Sequence, residues 1–435
     1  MIHGEVWTLK ELWVLPNEYI IWAIQIVMYP FMTGLVAGSF VLSSLYHVFG
    51  IKKLEGIARF ALVFSFALLP AAMIPLLLHL QHPERGINVL MTPHFTSAIA
   101  AFGIVFSCYF AIVASEIWFL YRRHFIEHAR YLKGLGGRKP LRLKVLQFVH
   151  TVLTLGSLDT SEEAVQKDHK AIKLLASIGI PVALFLHGYA GFIFGSVKAN
   201  ALWLTPLMPV IFIVSAVVSG IALCLLSYIV VTEARKWRSR RAQARALRTA
   251  GPQGTAAADL ERYAAQSGEI QSVEISVVKM TSRFLLIFLV AAVSLELLDL
   301  VFRSYTALNS WQILKDALYV RDFRNIFVLQ YGLGAFVPLV LLLIPRLTLR
   351  RTVVATMLVL FGVLMMRYNV VIGGQSFSET FAGYMRYTLP IIPYDMERLK
   401  EGLVGALSVF IFPFILFYVY SKIFPVFVKE SHGIE

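Results

Sequence analysis

Glu296, Asp299 and Arg303 stand inside a long apolar run, Ser282–Thr306. Asp299 and Arg303 are four residues apart and Glu296 lies seven before Arg303, so on a helix all three share one face. An ionisable side chain at the middle of a bilayer costs roughly 2.5–3.5 kcal/mol even on insertion scales, so each one needs a reason. Two reasons fit: an ion-pair cluster that holds helices together, or a relay that passes protons beside a redox site. Arg367 sits in another apolar run, followed by Tyr368 and Asn369. A guanidinium there needs an acid or a water-filled cavity, and Asp299 or Glu296 is the expected partner. Glu116 lies near the end of a third run. It either opens a proton path to the cytoplasm or snorkels to the inner interface.

A further apolar run ends His187-Gly188-Tyr189-Ala190-Gly191-Phe192, then Gly195. The glycines keep one face small enough for close helix packing. His187 is read either as hydrogen-bonded to a neighbour or, with the Tyr189 phenol, as gripping a quinone carbonyl and exchanging its protons. A short polar turn reads His79-Leu80-Gln81-His82-Pro83-Glu84-Arg85, with His94 beyond. Its histidines lack metal-ligand spacing, so no metal is expected there. His82, Glu84, Arg85 and His94 read instead as a docking face for an outer partner or the rim of a pocket.

The elements that must carry these residues are membrane spans. The chain of 435 residues is 58% hydrophobic and 15% charged, with a mean hydropathy of +0.70. A soluble domain has about 25% charged residues. A span needs about 20 apolar residues. Nine such runs occur, near Tyr19–Val48, Ile57–Leu80, Ser97–Tyr121, Ala171–Gly195, Thr205–Val231, Ser282–Thr306, Ile326–Leu343, Thr352–Ile372 and Val404–Phe424. The seventh and eighth are separated only by the basic turn Pro345–Arg351 and fit either two spans or one broken unit. The expected architecture is all-α, a single integral membrane domain over residues 1–435.

Lysine and arginine crowd alternate loops: Lys52, Lys53 and Arg59; the stretch 122–170; the stretch 235–280; and Arg346, Arg350 and Arg351. The positive-inside rule makes these loops cytoplasmic, which puts the N-terminus outside and the C-terminus inside. The net charge of +14 is thereby explained by topology rather than by nucleic acid. Cys108 and Cys224 both lie in apolar runs and form no Cys-x-x-Cys, so no iron–sulfur cluster or c-type haem is expected in this chain. The stretch Met1–Asn17 lacks the pattern of a cleavable signal peptide. No phosphate-binding glycine loop occurs, which argues against an ATP-driven pump.

Several fragments together resemble the NrfD/PsrC family, the polysulfide-reductase-type membrane subunits. They are Trp22, Tyr29-Pro30 and Gly34-x-x-x-Gly38; His82-Pro83-Glu84-Arg85 followed by Thr96-Ser97; and Gly188–Gly195 leading to Trp203, Thr205-Pro206-Leu207 and Pro209. The last is Arg367-Tyr368-x-Val370-Val371-x-Gly373-Gly374-Gln375. The resemblance implies two adjacent four-helix bundles, here with an extra span, and no haem or metal. It implies a quinone site (menaquinone or ubiquinone) near the outer face, matched by position to His187, Tyr189, Asn17 and Glu18. It implies an outer iron–sulfur, ferredoxin-like partner joined to a molybdenum, nickel–iron or multihaem subunit, in a bacterial or archaeal cytoplasmic membrane. On that reading the chain is not catalytic alone: it passes electrons between the quinone pool and the partner, with protons moving along Glu116, Glu296, Asp299, Arg303 and Arg367. Two rivals remain. A di-haem cytochrome b anchor needs facing histidine pairs, which His47, His79 and His187 do not give. A secondary transporter would use Glu296, Asp299 and Arg367 to bind an ion or solute at the midplane.

Overall fold

The computed structural model describes residues 20–94, 96–135, 140–197, 200, 202–249, 273–305, 315–376 and 385–427. Among these residues the chain is all-helical, and nine helices are long and apolar enough to cross a membrane. In chain order they are α1 (Ile24–His47), α2 (Glu55–Ala71, continued by the turn Ile74–His79), α3 (Ala98–Gly134), α5 (Glu162–Gly195) and α6 (Met208–Thr249). Then come α7 (Ile275–Tyr305), α8 (Arg324–Phe336, continued through Val337–Leu343), α9 (Leu349–Tyr368, continued through Asn369–Gly373) and α10 (Leu403–Ile423). The tenth helix, α4 (Leu141–Leu153), lies between α3 and α5 and is too short to span.

The helices fall into two halves with the same neighbours. In the first, α1 packs on α2 and α5, and α3 packs on α5. In the second, α6 packs on α7 and α9, and α8 packs on α9. This is a parallel repeat, because four spans separate the start of α1 from the start of α6, so both run in one direction. It is invisible as sequence similarity, since lipid-facing surfaces accept any apolar residue. The halves meet through α1 and α6, whose apolar stretches are 94% and 78% buried, against 22% for α7. Gly38 and Gly220 make the contact: a Cβ on either would collide with the other helix's backbone, at Ala216 and Gly220 or at Gly38 and Ser39. Small residues four apart allow such an approach, and lipid offers helices no competing packing of that quality. The ninth span, α10, stacks on α2 through Phe60, Phe64, Phe414 and Phe417.

Three local features add detail to the sequence expectation. Spans seven and eight are two helices, broken at Arg346, whose φ of 58° lies in the left-handed region. The stretch 122–170 is mostly helical: α3 runs on to Gly134, α4 fills Leu141–Leu153, and α5 starts at Glu162 behind the cap of Ser161 on the Ala164 N–H. The buried pair Arg122–Asp168, 2.8 Å apart, ties α3 to α5, and Arg122 also reaches Ser157 and the Asp159 carbonyl. Of the stretch 235–280, α6 occupies the part up to Thr249 and α7 begins at Ile275.

Candidate functional site

At the end of the bundle opposite the basic turns, the two halves are clamped by the late glycine motif. The Gln375 side chain accepts from the Trp22 N–H (3.0 Å) and donates to the Trp22 carbonyl (3.1 Å). Trp22 stacks on Trp203, whose indole donates to the Val370 carbonyl at 2.6 Å. Gly374 lies so close to that indole that a Cβ would overlap it. The Tyr387 phenol accepts from the Ile24 N–H at 3.1 Å, and burial pushes its pKa up.

Deeper, at the seam between the halves, sits a buried polar cluster. Arg367 on α9 is fully buried. Its guanidinium donates to His187 Nε2 (3.0 Å), Ser215 Oγ (2.7 Å) and the Phe212 carbonyl (3.4 Å), and lies 3.8 Å above the Phe212 ring. Thr33 Oγ1 donates to the Tyr29 carbonyl, so at 3.3 Å it accepts from His187 Nδ1. That assigns His187 as neutral, protonated at Nδ1, with its Nε2 lone pair on the guanidinium. The cluster joins one helix from each quarter of the seam: α1, α5, α6 and α9.

The expected Arg367 partners, Asp299 and Glu296, are not bonded to it. Asp299 instead accepts from Arg303 Nε, 2.8 Å away, and from the Thr205 hydroxyl. The physical reason is helix spacing: Arg303, one turn on from Asp299, reaches its carboxylate before any other cation does. Glu296 is left to a separate network. Gln330 Nε2 donates to Glu296 at 2.8 Å, and Asn369 Nδ2 donates to Gln330 Oε1 at 2.7 Å. Asn369 Oδ1 is buried without a hydrogen-bond partner among the described residues.

These groups line one cavity of about 130 Å³ between α6, α7, α8 and α9. Its polar members are Glu296, Asp299, Arg303, Gln330, Tyr331 and Asn369; Met208, Ile211, Phe327 and Met366 supply apolar wall. Two of the contributing segments, Arg324–Phe336 and Asn369–Gly373, are wound as π-helix. Such winding is rare overall and is frequent at functional sites. A second cavity of about 30 Å³ adjoins the first through Glu296, Gln330, Tyr331 and Met366, and reaches Ser215. One water needs about 10–15 Å³, so this space takes water between Glu296 and the Arg367 cluster.

The remaining expected site residues are dispersed. Tyr189 is half-buried between Phe185 and Phe192, each ring 5.7 Å away. Two residues along a helix turns the side chain about 200°, so Tyr189 faces away from His187 and the two do not form one grip. Asn17 and Glu18 lie outside the described residues. Glu116 is fully buried in α3 rather than snorkelling, and neither of its oxygens has a hydrogen-bond partner among the described residues. His82, Glu84, Arg85 and His94 are all exposed, with His82 on Glu84 (3.1 Å) and His94 on Thr96 (2.7 Å). The sequence reading missed Gln330, Tyr331 and Ser215. Gln330 carried the signal, as an amide in the middle of an apolar run.

The sequence profile described as polysulphide reductase, NrfD, matches residues 15–251 and 254–379. The chain is similar to a selenate reductase subunit of Mesobacillus selenatarsenatis, 36% identical over 217 residues, 49% of either chain. It is similar to a putative dimethyl sulfoxide reductase membrane subunit of Halobacterium salinarum, 26% identical over 377 residues, 86% of this chain and 71% of that one. It is also similar to the Hdr-like menaquinol oxidoreductase integral membrane subunit of Archaeoglobus fulgidus, 26% identical over 206 residues, 47% of this chain and 40% of that one. The match thus spans about half the length of the first relative and less of the third.

Proposed function

The chain belongs to the NrfD, or polysulphide reductase, family, and from that premise we propose that it is the quinone-handling membrane subunit of an oxidoreductase complex. The observation that carries this reading is the cavity beside Glu296. An apolar protein cavity of about 150 Å³ takes a benzene ring. The cavity here is of about that size, ≈ 130 Å³, and is walled by apolar side chains. It also presents what a hydroxylated ring needs: the unpartnered acceptor Asn369 Oδ1 and, on the same network, a carboxylate. Quinol, when bound, supplies two electrons and two protons. Asn369 Oδ1 accepts one hydroxyl hydrogen bond and orients the ring. Glu296, held in place by Gln330, takes up the two protons in succession, passing the first on before it receives the second. Asp299 and Arg303 neutralise each other at the cavity wall and keep its net charge low.

From Glu296 the water-sized space leads to Ser215 and the Arg367–His187 pair, which forms the inner wall of the proton route. Glu116, in the other half, offers a secondary branch toward the basic end on which the main route does not depend. His187 thereby acts as a partner of Arg367 rather than as a direct quinone ligand.

By the positive-inside rule the basic end is cytoplasmic, and the cavity lies in the outer half of the membrane. With no redox centre of its own, the chain hands electrons to a partner at that outer face. His82, Glu84, Arg85 and His94 form its docking rim. The partner is an iron–sulfur, ferredoxin-like subunit attached to a further redox catalytic subunit, in a bacterial or archaeal cytoplasmic membrane.

The test is isolation of the intact complex from membranes in mild detergent, followed by extraction of bound lipid. Co-purified quinone together with an iron–sulfur partner is the expected result. A chain that purifies alone, without quinone, overturns this reading and favours an ion or solute transporter built on the same buried charges.

A further inference from the structure

Three histidines far from this cavity remain unused. His124 and His128 lie four apart on the part of α3 that extends past the basic end of the bundle, and His150 lies on α4. One ring nitrogen from each falls within 4.8 Å of the other two. The rings of His124 and His128 are nearly parallel, at 15°, with centroids 5.3 Å apart, as expected for two ligands one turn apart on one helix face.

The geometry also suits a shared metal ion. His128 Nδ1 and His150 Nε2 are 3.3 Å apart. That spacing lies at the long end for a hydrogen bond. It matches the edge of a tetrahedron, because two nitrogens each about 2.0–2.1 Å from Zn²⁺ stand roughly 3.3–3.4 Å apart.

A second observation concerns how the rings are held. His150 Nδ1 donates to the Leu146 carbonyl at 2.9 Å, which leaves the Nε2 lone pair aimed at the cluster. His124 is hydrogen-bonded to the Ile423 backbone at the end of α10. Metal-ligating histidines are almost always oriented in this way by an outer partner on the other ring nitrogen. His150 is fully buried while His124 and His128 are half-exposed, so the site is anchored on one side and open on the other. The neighbouring cations are engaged elsewhere: Arg123 with Glu127, and Arg130 with the Leu158 carbonyl.

We propose that His124, His128 and His150 bind one divalent transition-metal ion of the Zn²⁺ class, leaving its fourth position to water or a small ligand. Three neutral imidazoles suit Zn²⁺ and exclude Mg²⁺ and Ca²⁺, which require oxygen ligands. The ion pins α4 to α3 and, through His124, to the end of α10. The opposite face of α4 carries Leu141, Val145, Phe148 and Val152, all exposed, at the i, i+4, i+7, i+11 spacing of an apolar stripe. The metal therefore fixes an amphipathic helix whose outer face suits the membrane interface.

The experiment uses the full chain purified in detergent through a tag without histidine, stripped with a chelator and titrated with Co²⁺, then Zn²⁺. One equivalent of Co²⁺ with visible tetrahedral absorption, displaced by Zn²⁺, is expected. His128→Asn changes only a half-exposed side chain and should weaken binding by at least about tenfold, since loss of even an outer partner costs 10–100-fold. His150→Gln should abolish the absorption. Zn²⁺ should also slow amide hydrogen exchange in α4 of the parent protein and not in His128→Asn. Absence of stoichiometric binding by the parent, or equal binding by both variants, overturns the proposal.

Discussion

The two halves share a helical plan and differ in what they enclose. The first, α1, α2, α3 and α5, is filled in its interior, where Phe40, Phe60, Phe64 and Tyr109 are fully buried and Glu116 meets no hydrogen-bond partner among the described residues. The cavity of about 1120 Å³ that it borders lies at its outer end, beside His79, His82 and Arg85. The second, α6 to α9, is hollow where it carries Glu296, Gln330 and Asn369, and its helices are π-wound around that hollow. Duplication supplies two equivalent bundles, and only one needs to hold chemistry. The other can be packed to stability. The seam follows the same logic: Thr33 on His187 and Ser215 on Arg367 are equivalent contacts in the two halves, yet one ends in a neutral imidazole and the other in a cation.

The largest functional difference between the halves is expected at their acids. Glu296→Gln should lower quinol oxidation by the assembled complex by about 10²-fold or more, the range of a general base. Glu116→Gln, measured alongside, should cost far less, because Glu116 lies in the filled half. Equal losses would mean that the halves share the proton chemistry. Next is Arg367→Leu, which leaves Ser215 and His187 without their charged donor. A destabilisation of roughly 3 kcal/mol, seen as a lowered unfolding midpoint in detergent, is expected, since a hydrogen bond to a charged group contributes about 1.5–3 kcal/mol. Gly334→Ala probes the α8–α9 contact, where a Cβ would strike the Gly362 backbone. Overpacking of that kind costs about 1–3 kcal/mol, and the bound quinone of the purified complex should fall with it. The smallest effect is expected for Tyr189→Phe: turnover should stay within about twofold, because the ring packs among aromatics rather than in the cavity. A large loss there would return the quinone site to the first half.

Much of this was legible in the sequence. The nine apolar runs match nine membrane-length helices among the described residues, and the membrane charges Glu296, Asp299, Arg303 and Arg367 were visible as exceptions to lipid solubility. The Asp299–Arg303 pair was legible from its spacing, but the partners of Arg367 and Glu296 were not, because a helix face specifies neighbours only within one helix. Arg367 and His187 are 180 residues apart and meet through the seam, which rests on Gly38 and Gly220. The repeat was hidden for the same reason that apolar surfaces are interchangeable. The cavity was hidden because π-winding changes which residues share a face. The His124, His128 and His150 group was hidden because its third member comes from a second helix, 22 residues after His128.

The proposed seat of the quinone head group is the cavity of the second half. The most direct test is photoaffinity labelling of the intact complex with a ring-linked photoreactive quinone, with the labelled peptides mapped by mass spectrometry. Labelling on α8 near Phe327–Tyr331 and on α9 near Met366–Val370, suppressed by excess unlabelled quinone, is the predicted result. Competable labelling confined to α5 around His187 and Tyr189, or to the segment at Asn17 and Glu18, would contradict it.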